Sequence, residues 1–440
     1  MNRFRKTDAP YRSWGNYPNC PSTAHQFLHS AELRAILDKH ANLIPYGNGR
    51  SYGDSALGPN LIDFRRYNYF LDFDENNAIL HCQAGVLLSD ILDVFVPRGW
   101  FLPVTPGTKF ITVGGAIASD VHGKNHHVAG SFSDHILDFE LMLPNGAIVT
   151  CSPLAHTDLF RATCGGMGLT GLILTARIKM SAISSSTIAQ VTIKTQNLAD
   201  TFNAFEQYGD APYSVAWIDC LATGDNLGRC LMMTGEHATD NALAYEGRTG
   251  FSVPCHFPGF TLNNWTVKAF NALYYAKARR KISRRSVPLE QFFYPLDAIA
   301  QWNRIYGKNG FTQYQFVLPL GESLRGLERI LTRIAVSGKG SFLAVLKRFG
   351  PGNANWLSFP MEGYTLALDF KMEPDLFGFL DALDRVVLDH GGRFYLTKDC
   401  RVPRGHFEPG YPNLRKFREL RQRYNMVGKF NSLQSERLAL

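Results

Sequence analysis

A chain of 440 residues, 45% hydrophobic and 19% charged, can bury a substantial core and has the length of two or three domains, which excludes a disordered or fibrous protein. No apolar run reaches the length of about eighteen residues that a membrane-spanning helix needs, and the opening MNRFRKTDAPYRSWG lacks the apolar core of a signal peptide. With a net charge of +8, the expected location is cytoplasmic, or peripheral on a membrane.

Residues 22–39 are predicted as a helix, opened by polar residues and carrying apolar ones at helical spacing. LIPYGNGRSYGD then leaves a short strand for a glycine turn. AILHCQAGV and GAIVTCSP alternate as strands do, and LLSDILDVFVPRG has the period of an amphipathic helix closed by glycine. A second glycine-rich segment, TPGTKFITVGGAIASDVHGKNHH, occupies residues 105–127. From SSSTIAQVTIKTQ onward the polar glycine motifs cease and a new alternating strand begins, placing a domain boundary near Ser181. QYQFVLPL, SFLAVLKRFG, YTLALDFKM and RFYLTKDC read as strands of a sheet, backed by helices over 320–337 and 374–389. The stretch 411–440 is basic and helical. The expected class is α+β, divided as 1–180, 181–410 and 411–440.

Paired glycine-rich turns expose rows of backbone N–H donors, which is what phosphate oxygens need. Neither segment is a G-x-x-x-x-G-K-[ST] loop, and in GNGRSYGD the third glycine, Gly53, comes one residue too late for a dinucleotide-binding G-x-G-x-x-G. A nicotinamide fold is therefore disfavoured, and the competing reading is a pair of ordinary tight turns. The eight cysteines form no C-x-x-C pair, so reduced thiols are expected rather than a zinc site or disulfide scaffold. His122, His126 and His127 have metal-ligand spacing, but no carboxylate or cysteine set completes a site, and no metal is expected.

The order YGNGRSYGD, PGT, TVGGAIASDVHG and CGGMGLTGLIL resembles the flavin-binding domain of the vanillyl-alcohol oxidase superfamily, the FAD-binding type-4 fold. HGKNHH, AWID, FFYPLDAIAQWNRIYG, QYQFVLP, SFLAVLKRFGP, LSFP and YLTKDCR extend the similarity, over nearly the whole chain, to the oxidase subunits of polyprenylphosphoryl-ribose 2'-epimerases. The resemblance implies a two-part FAD-binding domain, a substrate domain with an antiparallel sheet backed by helices, and a C-terminal return of 411–440 onto the FAD domain. It implies FAD as cofactor, held by Tyr46, Gly47, Asn48, Gly49, Arg50, Ser51, Tyr52 and Gly53 of the first loop. Gly107, Thr112, Val113, Gly114, Gly115, Ser119, Val121, His122 and Gly123 of the second join them, with Ile173 and Tyr395. Many relatives attach FAD through a histidine where this chain has Arg50, so non-covalent FAD is implied, with Arg50 free to pair with a phosphate.

Flavin chemistry asks for a cation near the ring and a base near the substrate hydroxyl. By motif position Lys398 resembles the family's active-site lysine, and strand alternation in YLTKDC would put it on one face with Leu396. His122 is the second catalytic candidate, as proton acceptor or orienting group, and Gln315 the third, with Tyr314 beside it. Lys124, Trp217, Tyr294, Gln313, Thr365 and Ala367 are the implied substrate residues, with Asn125 near the entrance. Mycobacterial members carry cysteine and asparagine where this chain has Ala367 and Thr365, so the pocket is altered there.

The implied activity is oxidation of a secondary hydroxyl, the 2'-OH of a polyprenylphosphoryl ribose or related glycosyl lipid, to a keto sugar. A separate short-chain reductase partner would complete the epimerisation, and no nucleic acid is involved. An aldonolactone or sugar-alcohol oxidase would use the same cradle, although its H-W-x-K motif is not found. A D-2-hydroxyacid dehydrogenase and a non-catalytic flavin scaffold or redox sensor also stay open. The basic stretch 277–286, KARRKISRRS after FNALYY, reads either as peripheral membrane contact with anionic lipid or as a solvated loop.

Overall fold

Three short strands, β1 (Thr23–Gln26), β2 (Leu43–Tyr46) and β3 (Asn60–Asp63), pair in parallel in the order β1-β3-β2. The structure, a computed structural model, describes residues 11–247 and 250–440. The signal-peptide reading of the opening residues falls mostly on residues 1–10 and lies outside the described ones. The helix predicted over 22–39 is thus a strand followed by a shorter helix, Ser30–Lys39. Thr23 to Gln26 take up ladder bonds with β3, and the helix starts only where Glu32 can accept the His29 amide at 3.0 Å. Its Leu33 and Leu37 are fully buried in one core with Leu43, Ile44, Leu61 and Ile62.

β4 (Phe70–Asp74), β5 (Ile79–Gln83), β6 (Trp100–Phe101), β7 (Ile136–Met142), β8 (Ile148–Cys151), β9 (Leu172–Lys179) and β10 (Ser181–Ala182) follow. Five of them form an antiparallel sheet in the order β4-β5-β9-β7-β8, and β6 pairs with β10. The predicted amphipathic helix is Leu88–Phe95, continued by a 3-10 turn and closed at Gly99 with φ 84°.

The remaining strands are β11 (Thr187–Thr195), β12 (Tyr213–Ile218), β13 (Cys230–His237), β14 (Ile282–Pro288), β15 (Phe311–Pro319), β16 (Ala344–Phe349), β17 (Gly363–Lys371) and β18 (Arg393–Phe394). They make one eight-stranded antiparallel sheet in the order β14-β11-β13-β12-β16-β17-β15-β18. The helices Leu320–Ser337 and Leu376–Asp389 pack on one face of it, as their periodicity predicts. Leu327, Ile330, Leu331 and Ile334 are fully buried there, each stabilising by about 1.5–3 kcal/mol.

Period-two alternation then decides the other face. On β15 it turns Tyr314 and Phe316 toward the helices and leaves Gln313 and Gln315 to line a cavity; on β17 it leaves Ala367 there. Tyr314 therefore does not join the site: its ring lies beside Phe316 and Phe394.

Two further readings change. RFYLTKDC is a strand only at Arg393–Phe394, because the Lys398 amide turns back to the Tyr395 carbonyl at 3.0 Å and the Thr397 carbonyl is taken by the Tyr52 amide at 3.0 Å. Lys398 thus sits on a turn, and strand alternation does not position it. The basic stretch 277–286 runs from the end of a helix, Asn264–Lys277, through a short loop at 278–281 into an edge strand, β14.

Residues 411–440 hold the helices Leu414–Arg423 and Leu433–Leu438. Arg421, fully buried, donates to the carbonyls of Leu169, Phe430 and Leu440, and Phe430 bridges Leu43 of β2. Among the described residues no helix is long and apolar enough to cross a membrane.

Candidate active site

The two glycine segments meet at the mouth of a cavity of about 370 Å³. A Cβ on Gly47 would lie 2.5 Å from Thr112 Oγ1, and Asn48 Nδ2 donates to the Phe110 carbonyl at 2.8 Å, so the loops touch through positions with no room for bulk. Gly49 has φ +62°, a conformation L side chains rarely adopt, and Tyr46 Oη would clash with a side chain there.

The loops differ in what their amides do. Among the described residues the N–H groups of residues 47–51 have no acceptor, whereas Val113 and Gly114 donate to the carbonyls of Val86 and Ala84 at 2.8 Å each, and Gly115 donates to Thr112 Oγ1 at 3.1 Å. Five successive donors are thus available to an anion in the first loop, while these three of the second are already taken. The second supplies shape: the short helix Val113–Ala118 is held in place, and Val113 itself is fully buried behind the wall.

Arg50 lies above the first loop with its guanidinium 4.1 Å from the Trp14 ring centroid and no ion pair within 4 Å among the described residues. Burial pushes its pKa down, so a nearby anion would be welcome. Gly53 does not line the cavity. It lets the chain pass Asp399, whose carbonyl oxygen would lie 1.8 Å from a Cβ, and so brings the first loop against the turn carrying Lys398.

Most other expected residues line the cavity: Tyr46, Ser51, Tyr52, Gly107, Ser119, Val121, His122, Gly123, Lys124, Ile173, Trp217, Gln313, Gln315, Ala367, Tyr395 and Lys398. Tyr294 and Thr365 stand behind it. Tyr294, buried, hydrogen-bonds Thr105 at 2.6 Å, and Thr365 Oγ1 donates to the Phe316 carbonyl at 2.8 Å. Asn125, also behind the wall, donates to the Pro103 carbonyl at 2.7 Å. His126 packs on Phe349 and His127 bonds the Ala211 carbonyl, so the HGKNHH histidines serve separate purposes.

Thr365 fixes the state of His122. Its hydroxyl proton is committed to Phe316, so it accepts from Gln315 Nε2 at 3.2 Å; the same amide nitrogen faces His122 Nε2 at 3.2 Å, which must then be the bare nitrogen. The proton is on Nδ1, buried and without a partner among the described residues. Burial, with Lys347, His126 and Lys398 adding to it, holds the His122 pKa well below its usual value. His122 is thus neutral here, with Nε2 turned to Gln315.

Lys398 places Nζ 3.6 Å from the Tyr52 ring centroid. Burial lowers its pKa, and the carboxylate of Asp369 opposes that. Asp369, raised by burial, accepts from Gln313 Nε2 at 2.6 Å and from the Tyr306 hydroxyl at 3.2 Å. Lys347 and Lys124 also line the cavity, lowered by burial to about 8 and about 7. Lys124 donates to the Phe292 carbonyl and lies 4.5 Å from that ring. Asp369 and Lys347 were missed in the sequence, although Asp369 follows Ala367 by two positions on β17 and so shares its face.

A row of free amides with a guanidinium beside it suits a pyrophosphate, and the deeper cations with the aromatic rings of Tyr52 and Tyr395 suit an electron-accepting ring system. The donor set fits FAD. Cys82 and Cys151, fully buried with thiols pushed up to about 12, do not line the cavity and offer no attachment point.

Residues 28–152 match the family model of the FAD binding domain. Decaprenylphosphoryl-beta-D-ribose oxidase of Mycolicibacterium smegmatis is 37% identical over 427 residues, spanning 93% of this chain and 92% of that protein. The chain belongs to that oxidase's family of FAD-dependent oxidoreductases. Members of the wider FAD-binding group match over shorter stretches. L-gulonolactone oxidase of Mus musculus is 26% identical over 38% of this chain and 40% of its own. D-lactate dehydrogenase of Anaerostipes hadrus is 28% identical over 35% and 33%. The α+β class and the FAD cofactor follow from family membership.

Proposed function

We propose that this oxidoreductase oxidises the 2'-OH of a polyprenylphosphoryl ribose or a related glycosyl lipid to a ketone, as the first half of an epimerisation that a separate reductase completes. The observation that carries the reading is the cavity floor. Lys398, Lys347 and Lys124 make no ion pair within 4 Å among the described residues, and Gln313 and Gln315 flank them. Unpaired cations suit a sugar phosphate, and paired amides suit ring hydroxyls. FAD, when bound, would supply the hydride acceptor for the carbinol carbon. Lys398 supplies a positive charge beside it and, with its pKa lowered, a nitrogen that can exchange a proton near neutral pH. Gln315 holds His122 in its neutral form through Thr365. We assign Tyr46, Gly47, Asn48, Gly49, Arg50 and Ser51 to the phosphate end of FAD and Tyr395 to its ring end. Ala367, smaller than the cysteine of the mycobacterial members, leaves room beside the substrate sugar. The chain division at 180 and 410 is retained in this reading, as is peripheral contact with a membrane.

An anaerobic titration of the FAD-loaded protein tests the reading. Bleaching of the flavin's visible band by a polyprenylphosphoryl ribose, with formation of a 2'-keto product, is the expected result. Bleaching by aldonolactones alone would transfer the assignment to a lactone oxidase, and no bleaching by any alcohol would leave a scaffold.

The FAD is expected to be dissociable. Acid precipitation should leave all the yellow colour in the supernatant, and colour retained on the pellet would contradict the role given to Arg50. Asp369 is assigned as a positioning residue. Its carboxylate raises the Lys398 pKa, so Asp369→Asn should let Lys398 lose its proton at lower pH. In the pH profile of anaerobic reduction, the ionisation assigned to Lys398 should move toward acid; an unmoved profile would remove Asp369 from that role.

A further inference from the structure

The helix Asn264–Lys277 is amphipathic in the reverse sense. Trp265, Ala269, Ala272, Leu273 and Ala276 fall within roughly 100° of helical arc and all face solvent. Trp265 is 82% and Leu273 74% exposed. The opposite face holds the helix to the protein. Val267 is buried, Asn271 Nδ2 donates to Asp219 at 2.8 Å, and Tyr274, nine residues and so about half a turn round from Trp265, lines the active-site cavity against Trp217, with centroids 4.7 Å apart. One helix therefore forms the wall of the cleft and presents an apolar stripe outside it. Phe260, 77% exposed, precedes it.

The charges around the stripe have one sign. From Gly247 to Leu289 the sequence has no acidic residue, while Lys277, Arg279, Arg280, Lys281, Arg284 and Arg285 are all exposed. Strand β14, which carries the last two, is the edge of the eight-stranded sheet, and burial raises the Tyr274 pKa while Arg285 is close enough to oppose that rise. A solvated basic face would not need exposed Trp and Leu beside it. An interface with another copy of the chain would bring these cations against each other. An anionic lipid surface satisfies both features, because cations meet headgroups while the apolar stripe enters the headgroup boundary.

We infer that the outer face of the helix Asn264–Lys277, together with β14, docks the enzyme on an anionic bilayer, so that a glycosyl lipid reaches the cavity past Tyr274 with its chain still in the membrane. The inference rests on the reading of a lipid-linked substrate. The FAD-loaded full chain should co-float with vesicles of phosphatidylcholine containing phosphatidylglycerol, and with pure phosphatidylcholine vesicles only weakly. Binding should fall by at least about tenfold in Trp265→Ser/Leu273→Ser and, separately, in Arg284→Gln/Arg285→Gln, whose exposed side chains leave folding and FAD content unchanged. High salt should weaken the wild type and the Ser variant alike.

Failure of the wild type to bind anionic vesicles, or binding indifferent to both variants, would overturn the inference. So would a vesicle-free dimer that the Ser variant breaks, since a second copy would then cover the stripe. The two readings separate in detergent: FAD bleached by detergent-dispersed substrate without vesicle binding sinks the docking surface alone. Vesicle binding with no bleaching sinks the substrate and leaves the surface.

Discussion

Replacing Lys398 by Met should leave the protein yellow and slow its anaerobic reduction by about 10²- to 10³-fold. The expected magnitude is that of removing one preorganised charge or donor from a water-poor site, about 2.7–4 kcal/mol of barrier. Lys398 offers such a group because its ammonium has no ion pair among the described residues and sits over the Tyr52 ring rather than in solvent. Colour persists because cofactor retention is assigned to the amides of residues 47–51 and to Arg50, on a different wall. Stopped-flow bleaching of the flavin band by the lipid-linked ribose is the measurement. A variant reduced at the wild-type rate would take Lys398 out of the site, whereas a colourless variant would mean that the two walls are not independent.

The largest loss of stability should come from Asp120→Ala. Asp120, fully buried with φ 40°, accepts from the Ser133 amide at 3.1 Å, Ser358 Oγ at 2.6 Å, Asn353 Nδ2 at 2.9 Å and Asn355 Nδ2 at 3.1 Å. Removing the carboxylate strands the buried Ser133 amide and Ser358 hydroxyl, while the half-buried Asn353 and Asn355 keep Ser133 Oγ as a partner, and a buried donor left unpaired costs about 1–3 kcal/mol. Local rearrangement recovers part of this, so a net loss of about 3–5 kcal/mol is expected. The denaturant midpoint of the FAD-free protein should fall accordingly, with Asp120→Asn in between. Because this carboxylate joins the segment before His122 to residues 353–358, FAD affinity should weaken as well. A midpoint within experimental scatter of wild type would show that the donors find other partners.

The parts of this fold that were legible in the sequence are those with a strong period. The helix Leu320–Ser337 has a clear apolar stripe, and β15, β16 and β17 announce themselves by their apolar and aromatic content. Position along the chain is less informative where tertiary hydrogen bonds override local preference. Thr23 to Gln26 could have continued the following helix until β3 offered them a ladder, and YLTKDC could have continued β18 until Tyr52 claimed the Thr397 carbonyl. The glycine loops were visible as a pair, but their division of labour was not, because it depends on which carbonyls lie behind Val113 and Gly114. Likewise, the motif around His122 drew attention to the imidazole, while its tautomer is set by Thr365 and Gln315, some two hundred residues away in the chain. Strand alternation within QYQF already separates Tyr314 from Gln313 and Gln315.

Hydrogen exchange of residues 47–51, compared between the FAD-free and FAD-loaded protein, tests the central claim most directly. Amides that have no acceptor among the described residues should exchange quickly without the cofactor and be strongly protected with it, while Val113, Gly114 and Gly115, already bonded within the chain, should change little. Protection of the second loop with none at residues 47–51 would contradict the claim that the first loop's amides hold the pyrophosphate.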